Sequence, residues 1–276
     1  MEGENPMNFK RIKAHLMGIG VLLVTLLAIM QIVGLFAIDK LMFHPEMVKD
    51  GYDATLPGYV DIGTNGTRIA ALVRGPAKGR KAILYCHGNA EDITSPASVL
   101  DAFAAKGYTV AAVDYPGYGL SDGTPTEDGC YRNAHRLYDW LLEERGFKAE
   151  DVVVIGFSIG TGPATELAAT CKVGGLVLEA PYLSAPRAVT RVRLLAVDPF
   201  PNVERIRSIK CPLLIIHGTD DRIVPFTQGK ALFEHAVEPK RFVQVAGAGH
   251  VDFIDVMGID AYERLIVSFV EGGVAE

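Results

Sequence analysis

A serine held between two glycines, in Gly156-Phe157-Ser158-Ile159-Gly160, is the first residue of this chain whose setting suggests chemistry. A serine hydroxyl attacks an acyl carbon effectively only when a neighbouring base takes its proton. The apolar, β-branched run over 151–155 reads as a buried strand, and residues 161–169 read as a helix. Strand, G-x-S-x-G, helix is the context of a nucleophile elbow, a turn so tight that a Cβ at either flanking position would clash. With 29 glycines in the chain the pattern alone carries little weight, so its partners must carry the rest.

His250 ends the glycine-rich loop Ala246-Gly247-Ala248-Gly249-His250, which follows a strand-like stretch at 241–245. Loops at strand ends commonly present functional side chains, although an ordinary surface histidine is the plain alternative. A third group should hold the imidazole in the right tautomer. The buried-strand pattern Leu213-Leu214-Ile215-Ile216-His217 runs into Gly218-Thr219-Asp220-Asp221, placing two carboxylates just past a strand end. Turn or cap chemistry would use them equally well there. The order Ser158, Asp221 or Asp220, His250 is one of three chain orders in which such triads occur.

Strands are expected near 59–62, 67–74, 81–86, 109–114, 151–156, 175–179, 213–217 and 241–245. Helices are expected near 93–106, 127–145, 159–170, 227–236 and 259–271. Alternation of strand and helix from the third strand onward predicts a mostly parallel sheet covered on both faces. The first two strands, split by Thr64-Asn65-Gly66, read as an antiparallel hairpin.

Four motifs together resemble the α/β-hydrolase superfamily over about residues 55–272. Tyr85-Cys86-His87-Gly88-Asn89-Ala90 resembles its oxyanion loop, and Asp114-Tyr115-Pro116-Gly117-Tyr118-Gly119-Leu120-Ser121 its D-x-x-G-x-G-x-S loop. The elbow is the third. The fourth, H-G-x-x-D-x-x-V-P, aligns with residues 217–225 and selects Asp221 over Asp220. Within the superfamily the chain is most similar to membrane-anchored esterases and serine aminopeptidase-like proteins with a Phe-x-Pro stretch after the anchor, here Phe43-His44-Pro45. The resemblance implies an α/β-hydrolase fold: a mostly parallel eight-stranded sheet, helices on both faces, a minimal lid at about 181–210, and one N-terminal transmembrane helix. It implies Ser158 as nucleophile, His250 as base and Asp221 as orienter, with the backbone N–H groups of Asn89 and Ile159 as the oxyanion hole. It implies no metal and no cofactor, and structural roles for His87, Asp114, Ser121 and His217. Haloalkane and epoxide hydrolysis are disfavoured, because those relatives carry Asp at the elbow.

Residues 16–37 form a run of 22 without a formal charge, long enough to cross a bilayer core as a helix. A buried core helix and a cleaved signal peptide are the alternatives; no small-x-small site ends the run. Lys10, Arg11 and Lys13 precede it. That bias predicts a cytoplasmic tail at 1–14, a signal anchor at 15–38, a linker at 39–55, and a catalytic domain at 56–276 on the non-cytoplasmic side. A net charge of −6 argues against nucleic acid as a partner.

Within the lid, Val192, Leu195 and Ala196 could line one face of a short helix. Arg187, Arg191 and Arg193 are then either solvated or turned to an anionic headgroup. Cys130 and Cys171 could pair in an oxidising compartment, whereas Cys86 and Cys211 read as core thiols. The expected function is hydrolysis of carboxylic esters or thioesters, with lipid-like or acylated substrates favoured. A serine peptidase is the alternative enzyme, and an inactive membrane-tethered interaction protein the alternative of another class.

Overall fold

A computed structural model describes residues 6–48, 51–190 and 198–274. Eight strands form one sheet: β1 (Tyr59–Asp61), β2 (Ala70–Arg74), β3 (Ala82–Cys86), β4 (Thr109–Val113), β5 (Val152–Phe157), β6 (Gly175–Glu179), β7 (Leu213–Gly218) and β8 (Lys240–Val245). Their spatial order is β1-β2-β4-β3-β5-β6-β7-β8. The β1–β2 and β2–β4 pairs are antiparallel and every other pair is parallel. At the tip of the first hairpin Asn65 and Gly66 both take positive φ, 55° and 79°. These are the signs of a primed turn, whose twist matches that of the strands.

Side chains alternate across the sheet with the period of two that a pleated strand imposes. Ala82, Leu84 and Cys86 of β3 and Val152 and Val154 of β5 face α3 (Glu127–Glu143), α4 (Thr161–Thr170) and α7 (Phe226–His235). Ile83 and Tyr85, with Val153, Ile155 and Phe157, face α2 (Ala97–Ala105), α8 (Phe253–Met257) and α9 (Ile259–Gly272). The sheet is therefore covered on both sides, as expected.

The helix expected from residue 93 begins at Ala97. Asp92 explains the delay, since its Oδ1 accepts from Thr94 N–H at 2.8 Å and from the Thr94 hydroxyl at 2.6 Å, which makes a local turn instead of a helical one. Among the described residues of the expected lid, the helical elements are α5 (Ala185–Thr190), α6 (Asn202–Arg205) and a 3₁₀ turn at 206–208, each too short for periodicity to reveal. Arg191, Val192, Arg193, Leu195 and Ala196 lie outside the described residues. Arg187 is not turned outward to a headgroup but pairs with Asp198 at 2.5 Å. Cys130 and Cys171 are not bonded to each other, and all four cysteines are free thiols.

The N-terminal apolar stretch is helical throughout α1 (Pro6–Met42). Its most apolar part, Arg11–Ile32, is not buried against the rest of the molecule, which removes the core-helix reading. Thr25 satisfies its hydroxyl on the Val21 carbonyl one turn back, at 2.9 Å. The expected linker at 39–55 starts differently. The helix runs on through Met42, Phe43 is buried, and its ring meets Phe200 edge-on at 6.0 Å. A chain segment anchored by a core aromatic does not behave as a free linker.

Candidate active site

Ser158 sits at the carboxyl end of β5 with a φ of +52°, left-handed backbone that a non-glycine residue adopts only under constraint. The constraint is the close approach of neighbouring backbone. A Cβ on Gly160 would lie 2.2 Å from the Cys86 carbonyl oxygen, and one on Gly156 would lie 2.4 Å from the Gly160 carbonyl oxygen. Glycine at both positions lets β3, β5 and α4 close around the serine. Three buried polar residues brace the turn. Thr161 Oγ1 donates to the Ser158 carbonyl at 2.7 Å, Tyr182 Oη to the Ile159 carbonyl at 3.0 Å, and Asn202 Nδ2 to both Thr161 Oγ1 and the Tyr182 carbonyl at 3.2 Å.

His250 follows β8 and lies between Ser158 and Asp221. Its Nδ1 is 2.7 Å from Asp221 Oδ2, and its Nε2 is 2.9 Å from Ser158 Oγ. A carboxylate only accepts, so Nδ1 carries the proton and Nε2 of the neutral ring is free to accept from the serine. Asp221 is buried, which alone would raise its pKa. Hydrogen bonds from His217 and His250, the charge that His250 carries when protonated, and the Val224 N–H instead hold the carboxyl well below the usual carboxylate range. Its Oδ1 accepts from the N–H groups of Ile223 and Val224 at 2.9 and 2.8 Å. His217 Nε2 donates to the Val224 carbonyl at 2.9 Å and lies 3.3 Å from Asp221 Oδ2, closing the loop around the acid. Asp220 is exposed and takes no part; Thr219 Oγ1 donates to it at 3.1 Å.

Asn89 follows β3, and its side chain is fully engaged. Oδ1 accepts from Tyr118 Oη at 2.6 Å and from His44 N–H at 3.2 Å, while Nδ2 donates to the Met42 carbonyl at 2.8 Å. Beside it, Gly88 N–H donates to Glu91 Oε2 at 2.7 Å. His87 is buried with Nδ1 2.8 Å from the Gly88 carbonyl and Nε2 3.3 Å from Asp114 Oδ1. Asp114 also accepts from Ile93 N–H at 3.0 Å and from the Tyr52 hydroxyl, and its carbonyl accepts from Ser121 Oγ at 3.0 Å. His87, Asp114 and Ser121 thus tie loops together. A cavity of about 160 Å³ opens beside the row, lined in part by Tyr85, Glu91, Phe157, Val251 and Phe253. Among the described residues no cluster of three or more His, Cys, Asp or Glu side chains has the geometry to hold a metal ion.

A family model described as alpha/beta hydrolase fold matches residues 81–195. The human protein named alpha/beta hydrolase domain-containing protein 17B is 35% identical over 193 residues, covering 68% of this chain and 67% of its own. The chain belongs to the alpha/beta hydrolase family. Hydrolysis is the activity class that membership implies. A Caenorhabditis elegans relative, alpha/beta hydrolase domain-containing protein aho-3, is 33% identical over 67% of this chain and 57% of its own length. Among solved structures, an esterase of Thermogutta terrifontis with propionate bound superposes with a TM-score of 0.64 at 22% identity, over 80% of this chain and 97% of that one. At that identity the likeness is one of fold.

The sequence did not single out Thr161, Tyr182 and Asn202 as braces. Thr161 alone carried a local signal, as the residue directly after the elbow. Nor did it disclose the side-chain partners of Asn89.

Proposed function

We propose that the protein is a serine hydrolase that cleaves carboxylic esters or thioesters through an acyl-enzyme. The observation that carries this is the unbroken row from Ser158 Oγ through His250 to Asp221, at 2.9 and 2.7 Å, in the one tautomer that accepts a proton. His250 Nε2 takes the Ser158 proton as Oγ attacks the acyl carbon. Asp221 keeps Nδ1 protonated and stabilises the imidazolium. The oxyanion of the tetrahedral intermediate is received by the N–H groups of Asn89 and Ile159. Collapse expels the alkoxide or thiolate, which takes the proton from Nε2. Water then attacks the acyl-enzyme with His250 again as base, releasing the acid and restoring Ser158. The chemistry calls on no metal or cofactor.

The uncharged run and the unburied helix support residues 15–38 as a membrane anchor, with 1–14 cytoplasmic and the domain on the non-cytoplasmic side. An anchored domain with a small lid favours amphiphilic, acylated substrates. A fluorophosphonate probe tests the reading. It should label the wild type and not Ser158→Ala; equal labelling of both would remove Ser158 from the mechanism. Turnover of short esters and thioesters against aminoacyl arylamides then separates esterase from peptidase.

A further inference from the structure

The carboxyl edge of a parallel sheet gathers every loop that follows a strand, and the candidate site is built there. Asn89 follows β3, Tyr118 lies in the loop after β4, and Ser158, Asp221 and His250 follow β5, β7 and β8. The apolar helix docks at this same edge. Met42, its last residue, and His44 are hydrogen-bonded to the Asn89 side chain, His44 N–H also donates to Tyr118 Oη at 3.2 Å, and Phe43 between them is buried.

The spacing along α1 sets the depth. The uncharged run ends at Ala37, five residues before Met42, which is about 7 Å of helix at 1.5 Å per residue. A headgroup layer is about 5–7 Å thick on each side of the hydrocarbon core. A helix that spans with this run therefore brings the sheet edge to headgroup level. Exposed aliphatic side chains stand on that edge. Met47, just past the docking point, is 55% exposed; Ile223, two residues after Asp221, is 62% exposed; Val251, next to His250, is 72% exposed. From β3 to β7 is three strand steps, about 14 Å, so Ile223 lies well to the side of the helix rather than against it. The cavity beside the site, about 160 Å³, is smaller than the roughly 300–1,000 Å³ of a typical ligand pocket. Phe157 and Val251, the chain neighbours of Ser158 and His250, stand in its lining, and its volume is too small to enclose a long acyl chain.

We infer that this edge is a lipid-docking face. Met47, Ile223 and Val251 sit among the headgroups of the leaflet where α1 emerges. The site then receives substrates whose acyl chain stays in the bilayer while the ester or thioester carbonyl, at headgroup depth, enters the cleft. This deepens the proposed hydrolase reading and rests on it and on the spanning helix.

The test uses the full chain in phosphatidylcholine–phosphatidylglycerol vesicles. Ile223→Cys carries an environment-sensitive fluorophore, with brominated lipid as quencher and labelled wild type as background. Lys148→Cys, exposed on the opposite edge ahead of β5, is the reference. Quenching at 223 and not at 148 is expected. Absence of quenching at 223 in vesicles that float with the protein overturns the inference, as does crosslinking of 223 to a second copy without quenching. In a second arm, Met47→Asp should lower turnover of a long-chain fluorogenic thioester held in vesicles at least three-fold. Turnover of p-nitrophenyl acetate in solution should change less than two-fold. Equal turnover of the vesicle substrate by wild type and variant also overturns the inference. Ser158→Ala should abolish both activities while leaving the quenching intact. Activity that survives Ser158→Ala refutes the hydrolase reading and not the docking face, and failure of the chain to float refutes the spanning helix.

Discussion

Asp220 and Asp221 are adjacent in sequence and opposite in environment. Asp221 is buried and receives four donors, from His217, His250, Ile223 and Val224; Asp220 is exposed. Asp221→Asn should preserve the shape and leave the imidazole in the wrong tautomer, lowering kcat by about 10⁴. Asp220→Asn should leave kcat at the wild-type value, and steady-state kinetics on a short ester separates the two. Asn89 makes a different point. Its backbone N–H is proposed to receive the oxyanion, yet its side chain holds Met42, His44 and Tyr118. Asn89→Ala keeps the N–H but leaves the Met42 carbonyl without its donor and the Tyr118 hydroxyl without its acceptor, while His44 N–H retains Tyr118 Oη. It should cost about 1–3 kcal/mol of stability and lower kcat through displacement of the loop, read from denaturant midpoints and kinetics.

At the scale of elements, the elbow depends on strands and helix approaching more closely than side chains allow. β3 and α4 meet across Gly160, where a Cβ would lie 2.2 Å from a carbonyl oxygen. Backbone cannot yield there without moving a central strand. Gly160→Ala should therefore destabilise by more than about 3 kcal/mol. Gly272, at the end of α9, has open space around its missing Cβ. Gly272→Ala should be neutral or stabilising by a few tenths, up to about 1 kcal/mol, because alanine favours helix. Chemical denaturation of the pair checks whether the elbow glycine serves packing as well as chemistry.

For the whole molecule, pH dependence carries a specific signature. Glu179, at the end of β6, is fully buried with its Oε1 accepting from Tyr262 Oη at 2.6 Å. Burial, with the nearby Glu91 charge, pushes its pKa up to about 7 against the opposing hydrogen bonds from Tyr262 and Tyr85. The folded state thus holds a proton that the unfolded chain has released. The stability this group contributes is present below its ordinary pKa of 4.5 and is lost as pH rises through 7, a fall on the order of 3 kcal/mol. Asp221 acts with the opposite sign, since its depressed pKa makes stability fall only as pH drops below its ordinary value of 3.8. Between pH 5 and 8 the two are separable. Glu179→Gln keeps the oxygen that Tyr262 binds and removes the titration. Its stability relative to wild type should rise from pH 5 to pH 8 in thermal melts; a constant difference would contradict the buried-acid account.

The sequence by itself determined what is local. Continuous apolar, β-branched runs marked the central strands, because burial on both faces leaves no polar face to alternate with. The glycines of the elbow, the histidine after β8 and the aspartate pair after β7 marked strand ends where side chains can be presented. An uncharged run of 22 residues marked the apolar helix. Only the tertiary structure decided what depends on distant partners. Asn89 reaches His44 and Tyr118 from 45 and 29 residues away. Thr161, Tyr182 and Asn202 converge on the elbow from three separate segments, and Glu179 is enclosed by rings from β3 and α9. The helix end at Met42 is hydrogen-bonded to the loop beside the site, and no pattern within residues 6–48 records that partner.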